Sequence, residues 1–174
     1  DSPNIIAVSK TFAMDKINPL IESGHLDFGE NKVQEALDKW TDIKLKNNNI
    51  KLHLIGKLQT NKVKHAVKIF DYIHSVDNEK LAKKISDELN KNQRNIKIFL
   101  QVNIGKENQK SGVDVENLEN LFLYCKKINL EVIGLMCIPP IGVDSKDYFK
   151  KMRDLAKNLM LKDLSMGMSS DYLK

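Results

Sequence analysis

Cysteine, arginine and long apolar runs are scarce in this 174-residue chain, and each shortage excludes a class of protein. The cysteines are Cys125 and Cys137 alone, without a CxxC pair or a histidine at metal-ligand spacing. Two isolated thiols exclude a disulfide framework, provide no metal site and indicate a reducing compartment. No apolar run approaches the ~18 residues of a membrane span, and no signal peptide opens the chain. We therefore expect a cytoplasmic protein with no contact to a membrane.

The net charge of +5 is weak evidence for a nucleic-acid partner. Of the 28 basic residues only Arg94 and Arg153 are arginines, and the lysines alternate with Asp and Glu in segments such as DNEKLAKKISDELNKN. This pattern is typical of a solvated helix face. It lacks the interleaved aromatic residues that a base-stacking surface needs. We expect no nucleic-acid binding.

Short apolar runs alternate with helical patterns along the chain. Seven runs have strand length: NIIAVS, LDFG, IKLHLIG, YIHSV, IKIFLQVNI, EVIGLMCI and LSMGMS. The alternation predicts a parallel sheet, because parallel neighbours need helical crossovers. The segments IIAV and IFLQV are apolar on both faces, as expected of a sheet covered on both sides. An open doubly wound sheet and a (β/α)8 barrel both fit, and nothing divides residues 1–174 into more than one domain.

Polar residues and glycines accumulate just past the ends of these runs. The clusters are Lys10, GEN (29–31), GKLQTNK (56–62), HSVD (74–77), QVNIG (101–105), MCIPP (136–140) and SMGMSSD (165–171). The carboxyl ends of parallel strands share one face, where binding sites form. The sequence therefore predicts one site at the mouth of the sheet.

Lys10 stands where the first strand should end. Strand alternation puts Val8 and Lys10 on one side, so Lys10 points into the mouth if Val8 packs into a barrel. A partly desolvated amine there could form an imine with an aldehyde, because burial disfavours the ammonium form. A solvated lysine at a strand end is the alternative.

The SMGMSSD segment could hold a phosphate. Gly167 allows a tight turn, and Ser169, Ser170 or Asp171 could cap a following helix. Free N–H groups at such a helix start suit a phosphate, although an ordinary strand-to-helix turn would have the same pattern.

Four further polar residues allow a structural or a functional interpretation. His53 and His74 lie within predicted strands, where most histidines are packed and hydrogen-bonded rather than ligands. Asn31 and Asn103 follow strands and could orient a ring or a phosphate, or equally cap helices. Cys137 fits the core better than the role of a nucleophile.

Seven motifs in this order resemble the pyridoxal-phosphate homeostasis protein family: AVSKTF, DFGENKVQEA, HLIGKLQTNK, HSVD, QVNIGKENQKSGV, GLMCIPP and LSMGMSSD. The resemblance spans nearly the whole chain. It implies a (β/α)8 TIM-like barrel of the alanine racemase N-terminal type. It also implies that the first helix and the eighth strand of that barrel are missing from residues 1–174, so we expect seven parallel strands.

The resemblance implies a pyridoxal 5′-phosphate (PLP) site, with Lys10 holding the cofactor as an internal imine. The residues implied to bind it are Lys10, Asn31, His53, Lys110, Ser165, Met166, Gly167 and Ser169. Ser169 would lie near the phosphate, Asn31 and His53 would line the pocket, and Lys110 would take part in cofactor handling.

The implied function is intracellular PLP homeostasis without dedicated turnover. The alternative is a PLP-dependent amino-acid racemase, which needs a base on each face of the cofactor. In the racemases the second base comes from an additional β domain, which we do not expect in this chain. A phosphate-binding barrel without a cofactor is a third interpretation, and it predicts a colourless protein. The implied partners are PLP and PLP-dependent apo-enzymes that receive it, and we expect a monomer.

Overall fold

Strands and helices alternate along residues 2–108 and 111–169, which are the residues described by the structure, a computed structural model. The strands are β1 (Ala7–Val8), β2 (Asp27–Glu30), β3 (Lys51–Leu54), β4 (Tyr72–Val76), β5 (Lys97–Gln101), β6 (Glu131–Met136) and β7 (Asp163–Ser165). The helices are α1 (Met14–Glu22), α2 (Val33–Lys46), α3 (Val63–Ile69), α4 (Glu79–Asn92), α5 (Leu118–Lys127) and α6 (Lys146–Asn158). Single 3-10 turns at Thr60–Lys62 and Val115–Asn117 lead into α3 and α5. None of these described helices is long and apolar enough to cross a membrane.

The strands form one sheet in the order β1-β2-β3-β4-β5-β6-β7, and every neighbouring pair is parallel. A doubly wound sheet reverses its strand order at the point where its ligands bind, and the described sheet has no such reversal. A strand order that follows the chain is that of a barrel. The prediction of seven parallel strands in barrel order is confirmed.

Side chains on the helix side of the sheet form the core. Phe28 on β2 packs against Trp40 of α2, with ring centroids 4.8 Å apart, and both are fully buried. Residues paired in register share a face of a sheet, and Leu52 pairs with Phe28. Ile98 and Leu100 of β5 are likewise fully buried. Burial of these large apolar side chains fixes the helices on this outer face.

The opposite, inner face of the sheet carries polar and aromatic side chains. Gly29 of β2 pairs in register with His53 of β3, so these residues face away from Phe28 and the helices. His74 of β4 and Phe99 of β5 lie on the same inner face, with their rings stacked at a centroid distance of 4.3 Å. The inner face is the interior of the barrel.

The first strand is shorter and more exposed than the sequence predicts. The prediction that IIAV is buried on both faces is wrong, because Ile5 is 71% and Val8 is 44% exposed. Among the described strands β1 pairs with β2 alone, so one side of β1 is uncovered. The prediction for IFLQV is confirmed, since every residue from Ile98 to Val102 is buried between neighbours on both sides.

Candidate cofactor site at the carboxyl ends of the strands

Most of the predicted site residues that the structure describes lie at or just past the carboxyl ends of their strands. Lys10 follows β1 and is exposed, and Asn31 follows β2 and is half-buried. Met166 and Gly167 follow β7, at the same edge of the parallel sheet. His53 lies within β3 rather than past its end. Lys110, Ser170 and Asp171 lie outside the described residues.

Lys10 lies in a tight turn that closes directly after β1. The Ser9 N–H continues the sheet ladder by donating to the Gly29 carbonyl at 2.9 Å, and the Phe12 N–H donates back to the Ser9 carbonyl at 3.2 Å. Within this turn Thr11 has a φ of 66°. A β-branched residue in the left-handed region is strained by about 1–2 kcal/mol. The surrounding contacts must therefore hold the turn in place.

Lys39 of α2 provides most of these contacts. Its Nζ donates to the Ser9 carbonyl at 2.6 Å and to the Phe12 carbonyl at 3.0 Å, which are the two ends of the turn. The same ammonium lies 2.7 Å from Glu30 Oε1 and 3.1 Å from Glu35 Oε1. One cation thus ties the Lys10 turn to the end of β2 and to the first turns of α2.

Glu35 fixes the strained residue directly. Its Oε1 accepts a hydrogen bond from the Thr11 N–H at 2.5 Å. Burial works to raise the pKa of Glu35, but the bonds from the Thr11 N–H and from Lys39 together hold the pKa below its ordinary value of 4.5. The carboxylate is therefore ionised at neutral pH, as its role as an acceptor requires.

Glu30, Glu35 and Lys39 together form a clamp on the Lys10 turn. Glu30 is its fully buried centre. Its Oε1 accepts from the Ser9 hydroxyl at 2.7 Å and from the Trp40 indole N–H at 3.0 Å, in addition to Lys39. Its Oε2 has no hydrogen-bond partner among the described residues. Glu35 and Lys39 contact the Lys10 turn but were not singled out in the sequence, and Glu30 was noted there only as part of GEN. The i,i+4 spacing of Glu35 and Lys39 was the available signal.

Strand alternation places the side chains that precede Lys10. The Ser9 side chain bonds to Glu30 and so lies on the outer face of the sheet. Successive residues of a strand point to opposite faces, so Val8, which pairs with Gly29, belongs to the inner face. Val8 is half exposed rather than packed. Lys10 lies in the turn beyond β1, so its predicted position on the same side as Val8 stays a prediction.

Four polar side chains form a hydrogen-bonded chain across the inner face. His53 Nε2 lies 2.8 Å from Asp27 Oδ1, and His53 Nδ1 lies 2.9 Å from His74 Nε2. His74 Nδ1 lies 2.6 Å from Ser165 Oγ. The rings are held flat by stacking, with His53 on Tyr72 at a centroid distance of 4.1 Å. The interpretation of both histidines as packed and hydrogen-bonded strand residues is confirmed.

His53 therefore has both ring nitrogens occupied by protein partners. Burial is the main reason that its pKa lies below 6.5, although Asp27 acts in the opposite direction. Burial and the adjacent His53 ring lower the pKa of His74 to about 3. The predicted contact of His53 with a cofactor stays a prediction, and no ring nitrogen of His53 is left to make it.

The SMGMS segment makes the turn that its glycine predicts. Ser165 ends β7, and Gly167 has a φ of +91°, in the left-handed region that favours glycine. Met166 is half-buried, whereas Gly167 and Ser169 are exposed. Of the three predicted helix caps, Ser169 lies in a turn at the end of the described residues, and Ser170 and Asp171 lie outside them, so the phosphate site stays a prediction.

The turn after β5 is closed by the side chain of Asn103. Asn103 Nδ2 donates to the Glu107 carbonyl at 2.9 Å, and Asn103 Oδ1 accepts from the Glu107 N–H at 3.2 Å. Asp77 at the end of β4 accepts from the Gly112 N–H at 2.9 Å, which anchors the far side of this loop. The amide of Asn103 thus closes a loop rather than capping a helix, which was the structural role predicted for it.

Close backbone packing joins the ends of β2 and β3. A Cβ added to Gly56 would lie 2.3 Å from the Asn31 carbonyl oxygen. This is backbone and cannot move aside as a side chain would, so the position requires glycine. Gly56 therefore fixes where Asn31 lies at the mouth.

Both cysteines lie in the core, as was predicted for Cys137. Cys125 is fully buried in α5 and Cys137 is 3% exposed just after β6. Burial raises the pKa of the Cys125 thiol to about 12. This thiol is protonated at neutral pH and is not a nucleophile.

Comparison with known proteins identifies the family. The model of the alanine racemase N-terminal domain family matches residues 2–174. The pyridoxal phosphate homeostasis protein of Aquifex aeolicus is 39% identical over 97% of this chain and 77% of its own length. The protein of the same name from Synechocystis is 38% identical over 98% of this chain and 83% of its own length.

Solved structures agree with this assignment. PipY of Synechococcus elongatus, in a structure with PLP bound, has a TM-score of 0.89 at 34% identity over 99% of this chain and 86% of its own. An alanine racemase of Clostridium difficile has a TM-score of 0.72 at 12% identity, over 93% of this chain and 45% of its own, which shows a shared fold alone. The chain belongs to the alanine racemase N-terminal domain family, and within it to the pyridoxal phosphate homeostasis proteins.

Proposed function

We propose that this chain binds PLP at the carboxyl edge of its sheet, with the Lys10 amine as the covalent attachment point. The observation that carries the proposal is the clamped turn around Lys10. A strained Thr11, two carboxylates and the Lys39 ammonium are all used to hold one exposed amine at the end of β1. Backbone strain of this kind is retained where function needs a fixed geometry.

The residues at the mouth fit the chemistry of the cofactor. Lys10 supplies a primary amine, and the turn at Gly167 with the exposed Ser169 hydroxyl supplies donors suited to a phosphate. When bound, PLP supplies an aldehyde that an amine can hold covalently and reversibly. Asn31 lies between these groups in the order of the strands and would line the pocket.

Reversible holding of PLP suits a homeostasis protein that stores or delivers the cofactor. The relatives at 38% and 39% identity carry that name, and the racemases are similar in fold alone. Our proposal includes the absence of a dedicated turnover reaction, and PLP-dependent apo-enzymes as recipients. A cytoplasmic location, a monomeric state and a role for Lys110 in cofactor handling stay predictions.

Borohydride reduction of the PLP-loaded full-length protein, followed by peptide mass mapping, tests the attachment point. We expect the pyridoxyl group on the peptide that contains Lys10. Lys10→Ala should abolish this label and the visible absorption of the bound cofactor, while the fold is kept. Lys57→Ala is the matched control, because Lys57 is also an exposed lysine just past a strand, and it should keep the label. A label on Lys57 or Lys110, or full visible absorption in Lys10→Ala, would show that Lys10 is not the attachment site.

A racemase assay tests the absence of turnover. The loaded full-length protein is incubated with L-alanine, and the appearance of D-alanine is followed. We expect no conversion above the rate with free PLP. Turnover at about 1 per second or faster, the scale of ordinary enzymes, would replace the homeostasis proposal with a racemase.

A further inference from the structure

The chain Asp27–His53–His74–Ser165 allows only one arrangement of protons when both rings are neutral. A carboxylate only accepts hydrogen bonds, so His53 Nε2 must carry a proton toward Asp27. The other nitrogen of a neutral imidazole is an acceptor, so His53 Nδ1 accepts from His74 Nε2. His74 Nδ1 is then an acceptor too, and the Ser165 hydroxyl must donate to it at 2.6 Å.

The surroundings of the rings keep them neutral. Burial disfavours the charged form of both and is the largest influence on the pKa of each. For His53, Asp27 of β2 and Asp71 before β4 favour a charge, whereas Lys44 of α2 opposes it, and burial outweighs the two carboxylates. For His74, the neighbouring His53 ring opposes a charge as well. The single direction of the hydrogen bonds therefore holds at neutral pH.

This direction of the hydrogen bonds leaves the Ser165 hydroxyl oxygen as an acceptor toward any further partner. Its one hydroxyl proton is committed to His74, so the lone pairs of Oγ are what it can offer to the mouth. Ser165 is half-buried at the last position of β7, immediately before the Gly167 turn. A phosphate oxygen is an acceptor, and two acceptors facing each other repel rather than bind.

We propose that the Asp27–His53–His74 chain makes Ser165 a hydrogen-bond acceptor at the mouth, so that Ser165 recognises an N–H or O–H donor and not the phosphate. His53 and His74 are positioning residues that act through Ser165. This inference rests on the proposed function, since it takes the ligand at the mouth to be PLP. It narrows the predicted role of Ser165 in binding the cofactor to a contact away from the phosphate, and it leaves Ser169 as the hydroxyl for that group.

Ring ¹⁵N spectra of the ligand-free full-length protein test the direction without any cofactor. At pH 7 we expect both His53 and His74 as neutral rings protonated on Nε2, with correlations assigned by the His53→Gln and His74→Gln variants. An Nδ1-protonated His74, or a doubly protonated His53, would make Ser165 receive the hydrogen bond and would overturn the inference.

Binding of PLP and of pyridoxal, which lacks the phosphate, tests the role of Ser165. Ser165→Ala should weaken both ligands by the same factor, about three- to tenfold, as expected for one hydrogen bond. Ser169→Ala is the matched comparison and should weaken PLP alone. Loss confined to PLP in Ser165→Ala, or no loss with either ligand, would overturn the inference.

The two experiments separate this inference from the proposed function. If the wild-type protein binds neither ligand, the proposed function fails. The ring spectra alone then decide the direction of the hydrogen bonds between Ser165 and Asp27. If the wild type binds PLP but Ser165→Ala behaves as a phosphate-contact variant, the proposed function stands and the role assigned to Ser165 fails.

Discussion

Replacing His74 with glutamine should make the folded protein less sensitive to acid. Burial, together with the His53 ring, lowers the pKa of His74 from 6.5 to about 3 in the folded protein. At pH 5 the unfolded chain therefore binds a proton at this position that the folded protein does not bind. Stability from this group is fully present above about 6.5, falls as the pH falls, and stops falling near 3.

The size of the effect follows from the shift. One pKa unit corresponds to about 1.36 kcal/mol, so His74 should cost the wild type about 2 kcal/mol of unfolding free energy between pH 8 and pH 5. The full loss by pH 3 would approach about 5 kcal/mol. Glutamine keeps an amide donor and acceptor but cannot titrate.

Urea unfolding at pH 8 and pH 5 measures this effect. The difference in stability between wild type and His74→Gln should be about 2 kcal/mol smaller at pH 5 than at pH 8, because titrating groups that do not contact His74 cancel in the comparison. His65→Gln is the control, since His65 is exposed on α3 and meets water in both the folded and the unfolded states. An NMR titration of the His74 ring gives a second measurement if the variant is too unstable.

A pH-independent difference between wild type and His74→Gln would refute the reasoning. So would a His74 ring that gains its proton near pH 6.5 in the folded protein. Either result would mean that water or a charge stabilises the protonated His74 ring. The buried hydrogen bonds from Asp27 through His53 and His74 to Ser165 would then not persist in solution.

Three further predictions concern Lys39 and Gly56 near the site and Cys125 in the core. Lys39→Met should lower the unfolding free energy by about 3–5 kcal/mol, because it leaves the fully buried Glu30 without its cation, as urea unfolding would measure. The same change should also weaken PLP attachment, as visible absorption would measure, by loosening the turn that carries Lys10, the proposed attachment point. Gly56→Ala should destabilise by about 2 kcal/mol or more, since the new methyl group would meet the Asn31 carbonyl, and thermal unfolding would measure it. The Cys125 thiol should resist a thiol reagent in the native protein and react after unfolding, because burial raises its pKa to about 12.

Matched variants separate these effects from general damage. Lys46→Met removes an exposed lysine from the same helix as Lys39 and should cost less than about 1 kcal/mol. Gly24→Ala meets no atom within 4 Å but has a φ of +90°, so it should cost about 1 kcal/mol from backbone strain alone. An equal loss of unfolding free energy in Lys39→Met and Lys46→Met would contradict the contact of Lys39 with Glu30. An equal loss in Gly56→Ala and Gly24→Ala would contradict the close approach of Gly56 to the Asn31 carbonyl. Fast native labelling of Cys125 would contradict its burial.

Apolar periodicity in the sequence was enough to predict the strands and their alternation with helices. YIHSV became β4 with the predicted bounds, and IFLQV is buried on both faces as predicted. Periodicity could not choose between a doubly wound sheet and a barrel, because strand order is a property of long-range pairing. The motifs resolved that choice through the resemblance, and the sequential strand order agrees with it.

By itself the sequence determined the class of fold, the family and the position of Lys10 at a strand end, because local patterns and short motifs record these directly. Only the tertiary structure decided that Val8 is half exposed, since exposure depends on which neighbours cover a strand. It alone connected His74 to Ser165, 91 positions apart in the chain. A polar residue in a strand has the same local pattern whether it faces water or a buried partner. The direction of the hydrogen bonds from Ser165 to Asp27 follows from contacts that no local pattern encodes. The same is true of the clamp that holds the Lys10 turn.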